Sequence, residues 1–461
     1  MTTFGLSEGD WEGALWDTVA HLQALIRLDT VNPPGDEIRV ARYLDDVLRG
    51  AHIDTTLLEP APGRGAVVGR IRGSGHAQPV LLMAHMDVVP VEREKWTTNP
   101  FGGEILDGYI YGRGAIDDKG MLASNLQTML LAQRYAETTS AVPNRDIVFL
   151  ATSDEEAGSA LGIDWVLEHH ADLVQAGVAL NEGGRIRVLD GRPAYCAIQC
   201  AEKVPYNVVM TATGTGGHAS VPHAGNAIAR LARSLARIEA HEEPVMLGDV
   251  SRGFFGGLAG VWPDPAVAAA MADVVSNDPK RQAAGARALS ALPALHAALR
   301  NGISPTLISG GIRPNVIPTE AEANLNVRLL PGTTIDDLLA RLRAVVDDSE
   351  VRFEVISTGS DAPPSPLDGE GYRAICDALA ALDPSIVPVP FLSVGATDSA
   401  PLRKSGMHCY GLLPFPMEQE DEDRMHGHDE RVSVNALGFG VRLTCSIVQR
   451  LAFGAASSPV T

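Results

Sequence analysis

FLATSDEEAG, residues 149–158, runs from a short apolar stretch suited to a buried strand into three acidic side chains, Asp154, Glu155 and Glu156. Burying one unpaired carboxylate is costly, and three neighbouring like charges repel one another as well. Either the acids lie in a solvated turn after the strand, or positive charge sits against them.

Working outward, DIVFLATS is one of several short apolar runs that alternate with helical stretches. GALWDTVAHLQALIRL and IRVARYLDDVLRG have helical periodicity and are separated by a break at NPPGDE. GAVVGRI, PVLLMAHMD and GYIYGRG read as strands and turns, MLASNLQTMLLAQRYAE as a helix, GIDWVLEHH as another, and AGVALNEGG as a strand ending at the acid. This alternation predicts an α/β sandwich with a largely parallel sheet. Near residue 200 the texture changes to KVPYNVVMTATG, which alternates as a half-exposed strand does. The helix, strand, helix and strand that follow, with an Ala/Gly-rich helical region at 253–300, predict a smaller α+β domain inserted into the larger one. The expected division is a first part of the catalytic domain at 1–200, the inserted lid, of the dimerisation type, at 201–360, and a second part at 361–461, ending in a polar tail at 454–461.

The whole chain narrows the partners. Its 461 residues exceed one ordinary core, and a net charge of −20 argues against nucleic acid or an anionic membrane surface. Five scattered cysteines favour a reducing compartment over a disulfide framework. Cys196 and Cys200 are four apart with no second pair to complete a thiolate zinc site. The N-terminus has no basic region followed by an apolar core, and no run reaches the roughly 18 apolar residues of a spanning helix. The expected location is cytoplasmic.

Chemistry collects where strands end. VLLMA leads into His85-Met86-Asp87, VFLAT into Ser153–Glu156, GVALN into Glu182, and GRGAIDDKGM places Asp117 and Asp118 in a Gly-flanked loop before a helix. Ligands bind beyond the carboxyl ends of strands in open α/β sheets. His85 and Asp87, two apart, point to one side, so that Asp87 can accept the second imidazole N–H and orient the ring. A carboxylate cluster with imidazole needs cations, and this donor mixture suits zinc, cobalt or manganese; two ions would use five or six such groups. His426 and His428, in RMHGHDERV, offer the second imidazole, whereas His408 reads as a strand residue and His169, His170, His241 and His296 as helical ones. One acid must stay off the metal to move protons. Glu155 and Glu156 diverge on an extended strand end, and spacing does not say which does which. TATGTGGHASVPHAG lacks the spacing of a phosphate loop and reads as a Gly-rich hairpin presenting His218 to a cleft.

Together these residues resemble the M20 metallopeptidases, zinc amidohydrolases related to glutamate carboxypeptidase, aminoacylase-1 and succinyl-diaminopimelate desuccinylase. LLMAHMDVVPV, GYIYGRGAIDDKG, ATSDEEAGS, NEGG, GTGGHASVP, PNVIPTEAEANLNVRLLPG, GATDSA and MHGHDERV occur in the family's order across nearly the whole chain. The NEGG and HGHDERV forms are most similar to the carboxypeptidase S and N-acyl-amino-acid hydrolase branch. The resemblance implies two zinc ions, with cobalt or manganese as substitutes, and a small N-acyl amino acid or short peptide as substrate. Asp117 would bridge the ions, often through a cis peptide to Asp118. His85 and Glu182 would complete one shell, Glu156 and His426 the other. Glu155 would be the general base, Asp87 would orient His85, and Asp154 is left without a role. In the lid, His218 would stabilise the oxyanion, in dimeric relatives from the partner subunit; a homodimer through the lid is the corresponding expectation. Arg328 would bind the substrate's free carboxylate, helped by Asn315 and the backbone near Gly395.

Two features depart from the family pattern. Asn326 stands where an acid often precedes the lid arginine, and 241–305 is longer than in the compact desuccinylase type. The implied reaction is metal-assisted amide hydrolysis, in which Glu155 takes a proton from water and returns it to the leaving amine. The rival readings are an aminopeptidase or dipeptidase of the related two-zinc clan, which usually lacks the lid's His and Arg, a non-catalytic binding protein on the same scaffold, and a dinuclear phosphoesterase.

Overall fold

The structure, a computed structural model, describes residues 3–454; the tail at 455–461 lies outside them. Eight strands form the larger sheet in the order Asp54–Ala61, Arg64–Ile71, Ile147–Thr152, Val80–His85, Val178–Leu189, His408–Met417, Arg192–Glu202 and Val387–Ser393. Ile147–Thr152, Val80–His85, Val178–Leu189 and His408–Met417 run parallel; Arg64–Ile71 joins them antiparallel on one side, Arg192–Glu202 antiparallel on the other, and the edge strand Val387–Ser393 lies parallel to Arg192–Glu202. Ile147–Thr152 is buried throughout and divides its side chains between two cores. Ile147, Phe149 and Ala151 face the larger core, on the side of helices Glu8–Arg27, Ile38–Gly50, Lys119–Thr139, Glu370–Leu382 and Val434–Ala452. Val148 and Leu150 face the smaller one, beneath Ile163–Val174 and Ser399–Lys404. A strand buried on both faces has no polar alternation, which is why the run reads as continuously apolar. Each of Ile147, Val148, Phe149 and Leu150 contributes about 1.5–3 kcal/mol by its burial.

Register brings the chemistry to one edge. Val80–His85 and Ile147–Thr152 run parallel with His85 opposite Thr152. Leu82 pairs with Leu180, so Glu182 lies just past the same edge. The strand does not end there as the sequence reading expects. It continues to Leu189 and returns through Asp190-Gly191, both at positive φ, into Arg192–Glu202. The Gly-Gly pair therefore serves close strand packing rather than a loop: a Cβ on Gly184 would lie 2.0 Å from the Ala197 carbonyl oxygen.

A second, antiparallel sheet has the order Gly302–Gly310, Glu320–Leu329, Val204–Thr213 and Val351–Thr358. Helices Ala227–Glu239 and Ile335–Val346 cover one face, around Val208, Met210, Leu231, Leu325 and Leu342. The helical region between them in sequence is placed differently from the expectation that put it with the lid. Helices Asp249–Leu258, Pro265–Val274, Pro279–Leu289 and Pro293–Leu299 bury Phe255, Met271, Leu289 and Leu299 together with Tyr195, Ala197 and Val389 of the larger sheet. Glycines make this docking close, since a Cβ on Gly253 or Gly257 would meet Pro390 or Val389 at 2.5 Å. Ala- and Gly-rich composition gives helical propensity but does not specify which sheet the helices cover.

Candidate active site

His85 closes its strand almost fully buried. Its Nε2 lies 3.0 Å from Asp117 Oδ1; its Nδ1 lies 3.0 Å from the Asp87 carbonyl oxygen and 3.5 Å from the Asp87 carboxylate. The other Asp117 oxygen lies 2.9 Å from His426 Nε2, which is also 3.1 Å from Glu156 Oε1. Asp117 thus stands between two imidazoles, one oxygen toward each, and its peptide bond to Asp118 is cis. One donor atom each from His85, Asp117 and Glu156 lies within 4.8 Å of the others, and the same holds for His85, Glu155 and Glu182. Of the two candidate imidazoles in RMHGHDERV, it is His426 that meets the acids.

The electrostatics call for cations. Burial, then the neighbouring Asp117, push the Glu182 carboxyl up to about 8. Burial and Glu182 raise Glu155 well above the usual carboxylate range. Burial alone would depress His85, yet Asp117 and Asp87 hold it well above its ordinary value. Contacts with Asp117 and Glu156 take His426 up to about 10. Among the described residues no lysine or arginine forms an ion pair with Asp117, Glu155, Glu156 or Glu182. Imidazole nitrogens and carboxylate oxygens gathered this closely, without a basic side chain, form the donor set of a site for zinc or a similar divalent ion.

The supports of this cluster are residues remote from one another in sequence, to which, Asp87 apart, the sequence reading gave no role. Buried Glu430 accepts backbone N–H groups from Gly114, Ile116 and Asp117 and a 2.6 Å bond from Arg113, which clamps the loop carrying Asp117. Arg113 also donates to the Gly427 carbonyl at 2.7 Å, beside His426. Asp87 does more than face His85: its oxygens accept the N–H groups of Glu155 and Glu156 at 3.2 and 3.1 Å. Asp154 pairs with Arg64 at 3.0 Å, so the third acid of the opening stretch has its own cation. Asp398, in GATDSA, is buried nearby with its carboxyl pushed up to about 7 by burial while Ser159 donates a hydrogen bond to it. Glu430 and Arg113 both lie inside motifs already quoted, but neither residue type carries a signal of its role at that spacing.

The lid residues do not join the cluster. Exposed His218 sits in a two-residue ladder with Val316, next to Asn315, whose carbonyl accepts the Ala219 N–H at 3.1 Å. Its Nδ1 accepts the Ser220 N–H, which leaves the proton on Nε2. Half-buried Arg328 has no acidic partner among the described residues; Asn326 accepts its Nε–H at 3.1 Å and so holds the guanidinium without neutralising it. Buried Lys203 lies beside it, its ammonium depressed to about 8 by burial and by Arg328. Lys203 N–H bonds the carbonyl of Ser393, whose hydroxyl accepts the Gly395 N–H at 3.2 Å, so Arg328, Lys203 and Gly395 share one corner.

The fold and this cluster place the chain in a known class. Residues 81–450 match the model of peptidase family M20/M25/M40, and the chain belongs to that family. It is a metallopeptidase or amidohydrolase of a family that binds two metal ions. It is similar to the N-fatty-acyl-amino acid synthase/hydrolase PM20D1 of Homo sapiens, 31% identical over 391 residues that cover 82% of this chain and 75% of that protein. The probable carboxypeptidase S-like 2 of Dictyostelium discoideum is 29% identical over 77% of this chain and 68% of its own length. Among solved structures, the M20 family metallo-carboxypeptidase Sso-CP2 from Sulfolobus solfataricus shares the fold with a TM-score of 0.67 at 17% identity, covering 94% of this chain and 98% of that one. The Bacillus subtilis YXEP protein, a dinuclear metal binding peptidase from the M20 family, has a TM-score of 0.61 at 16% identity and covers 96% of this chain and 100% of its own.

Proposed function

We propose that the chain is a two-zinc hydrolase cleaving the amide bond of an N-acyl amino acid, or of a short peptide with a free C-terminal carboxylate. The observation that carries this is the convergence of His85, Asp117, Glu155, Glu156, Glu182 and His426, with no lysine or arginine among the described residues paired to these acids. Asp117 would be shared by both ions, with His85 and Glu182 on one side and Glu156 and His426 on the other. Bound there, the pair supplies Lewis acidity at the scissile carbonyl and eases deprotonation of water.

The protein's own groups do the rest. Glu155 accepts the proton of the attacking water on its carboxylate and delivers it to the leaving amine. Asp87 keeps His85 oriented and holds the backbone of the turn that carries Glu155. His218, with its proton on Nε2, is the donor for the developing oxyanion, with Asn315 beside it. Arg328 binds the substrate carboxylate, with the Gly395 backbone near it. An arginine with no acidic partner among the described residues favours a substrate carboxylate over the free amine that an aminopeptidase reads. The apolar half of the substrate is an acyl chain, in line with the similarity to the N-fatty-acyl-amino acid enzymes. A homodimer formed through the lid is supported by an exposed apolar edge strand, Gly302–Gly310, on which Leu307 is 71% and Ile308 67% exposed.

The test is a panel of N-acyl amino acids and dipeptides, each with free and amidated carboxylate, assayed after metal analysis. Glu155→Gln is expected to keep its metal and lose about 10²–10⁴-fold in kcat. A metal-loaded Glu155→Gln variant with full turnover would remove Glu155 as the base.

A further inference from the structure

The turn that bears Glu155 and Glu156 is strained, and something must hold it. Asp154, at φ 73, and Ser159, at φ 64, are both left-handed without being glycine. Such conformations persist where the surroundings over-determine them. Here two carboxylates grip the backbone. Asp87 accepts the N–H groups of Glu155 and Glu156, and Asp154 Oδ2 accepts the Leu161 N–H at 2.9 Å. Asn32 Nδ2 ties the two grips together, at 2.8 Å from Asp87 and 3.2 Å from Asp154. Arg64 completes the arrangement. Its Nη2 donates to Asp154 at 3.0 Å and to Glu37 Oε1 at 2.6 Å, while Nε donates to Glu37 Oε2 at 2.7 Å.

All five side chains are buried, Glu37 and Asp87 completely. Asn32 and Glu37 begin and end the break NPPGDE, where Gly35, at φ +93, leaves the room: a Cβ there would come within 2.7 Å of both Arg64 and Glu37. Of these five residues Asp87 alone meets an imidazole, that of His85, while Arg64, Glu37, Asn32 and Asp154 act on the cluster only through the turn and through Asp87. The network's charges are also disposed for position rather than for binding. Arg64 faces two carboxylates, one fixed on the N-terminal segment and one in the strained turn.

We propose that Arg64 is a positioning residue for the base and the ligand: by pairing with Asp154 against the fixed anchor Glu37, it sets where Glu155 and Glu156 stand relative to Asp117 and His426. This rests on the reading of Glu155 as base and Glu156 as ligand. A guanidinium fork can hold both acids at once, whereas an ammonium at the same site is a single point charge.

The experiment compares Arg64→Lys and Asp154→Asn with the wild-type holoenzyme. Asn at 154 keeps an acceptor for Arg64 but turns an amide NH₂ toward the Leu161 N–H, so it perturbs the turn from its other end. Both variants are expected to stay folded and to lose about 10–100-fold in kcat and in affinity for zinc. KM stays within about 3-fold, because the network touches no substrate. Zinc affinity is read by competition with a chromophoric chelator, without substrate. A wild-type chain that hydrolyses no N-acyl amino acid would sink the substrate reading and leave this titration to decide the role of Arg64. The result that overturns the proposal is a lowered melting temperature in both variants with wild-type kcat and zinc affinity, which is how a purely structural ion pair behaves. Should Arg64→Lys fail to fold, Asp154→Asn alone decides by the same two readouts.

Discussion

Replacing Glu430 by Gln removes one charge and should uncouple both halves of the metal cluster. Glu430 Oε1 accepts the N–H groups of Ile116 and Asp117 at 2.8 and 3.1 Å; Oε2 accepts Gly114 N–H at 3.1 Å and Arg113 Nη1 at 2.6 Å. Burial pushes its carboxyl pKa up, against Arg113 and the backbone donors. With every partner a donor, the group is a carboxylate in the folded chain. A glutamine amide turns its NH₂ toward one of these donor pairs whichever way it is placed. Two hydrogen bonds are lost, and buried Arg113 loses its counter-charge. Removing one partner of a buried pair costs about 3–5 kcal/mol. If the chain melts as one unit, its unfolding entropy is about 1 kcal/mol per kelvin, so the melting temperature should fall by about 3–5 °C.

The functional effect is larger than that figure suggests. The loop held by Glu430 carries Asp117, and Arg113 reaches on to the carbonyls beside His426. Both ions should therefore leave together when the variant is dialysed against a dilute chelator that spares the wild type. Scanning calorimetry and metal analysis per chain measure the two effects. Glu92→Gln, at an exposed pair with Lys95, is the control and should change neither. A Glu430→Gln variant with wild-type melting temperature and full metal content would refute the clamp.

Arg328→Ala should raise KM by about 10–100-fold for substrates with a free carboxylate, the worth of a charge-assisted bidentate contact, and leave amidated ones unchanged; an equal effect on both would remove Arg328 from carboxylate recognition. Sedimentation of the wild-type chain should give twice the chain mass, and Leu307→Lys with Ile308→Lys on the exposed lid edge should return it to the monomer. A wild-type monomer at micromolar concentration would end the homodimer reading.

The acids of FLATSDEEAG show how far local pattern reaches. A buried strand that ends in charge marks a sheet edge with chemistry, and the same logic picks out His85, Asp117 and Glu182. Glu155 and Glu156 stand among imidazoles and other acids, with no lysine or arginine paired to them among the described residues. Asp154 does not. Its neutralising cation is Arg64, 90 residues earlier, in a strand that carries no sign of it. Glu430 holds the Asp117 N–H across 313 residues, again with nothing local to announce the pairing. The helices of 249–299 formed as their composition suggested, yet they cover the larger sheet because the edge strand Val387–Ser393 offers Val389 and Pro390 as a surface.

By itself, then, the sequence determined the alternation of strands and helices, the strand ends at which acids and imidazole gather, and the inserted second sheet. Those follow from periodicity and from the cost of burying charge, both of which act over a few residues. Only the tertiary structure decided which acids are balanced by arginine and which gather without one, and where the long helical insertion docks. Ion pairs and packing surfaces join residues through space, and a counter-charge leaves no trace in the residues beside the group it neutralises.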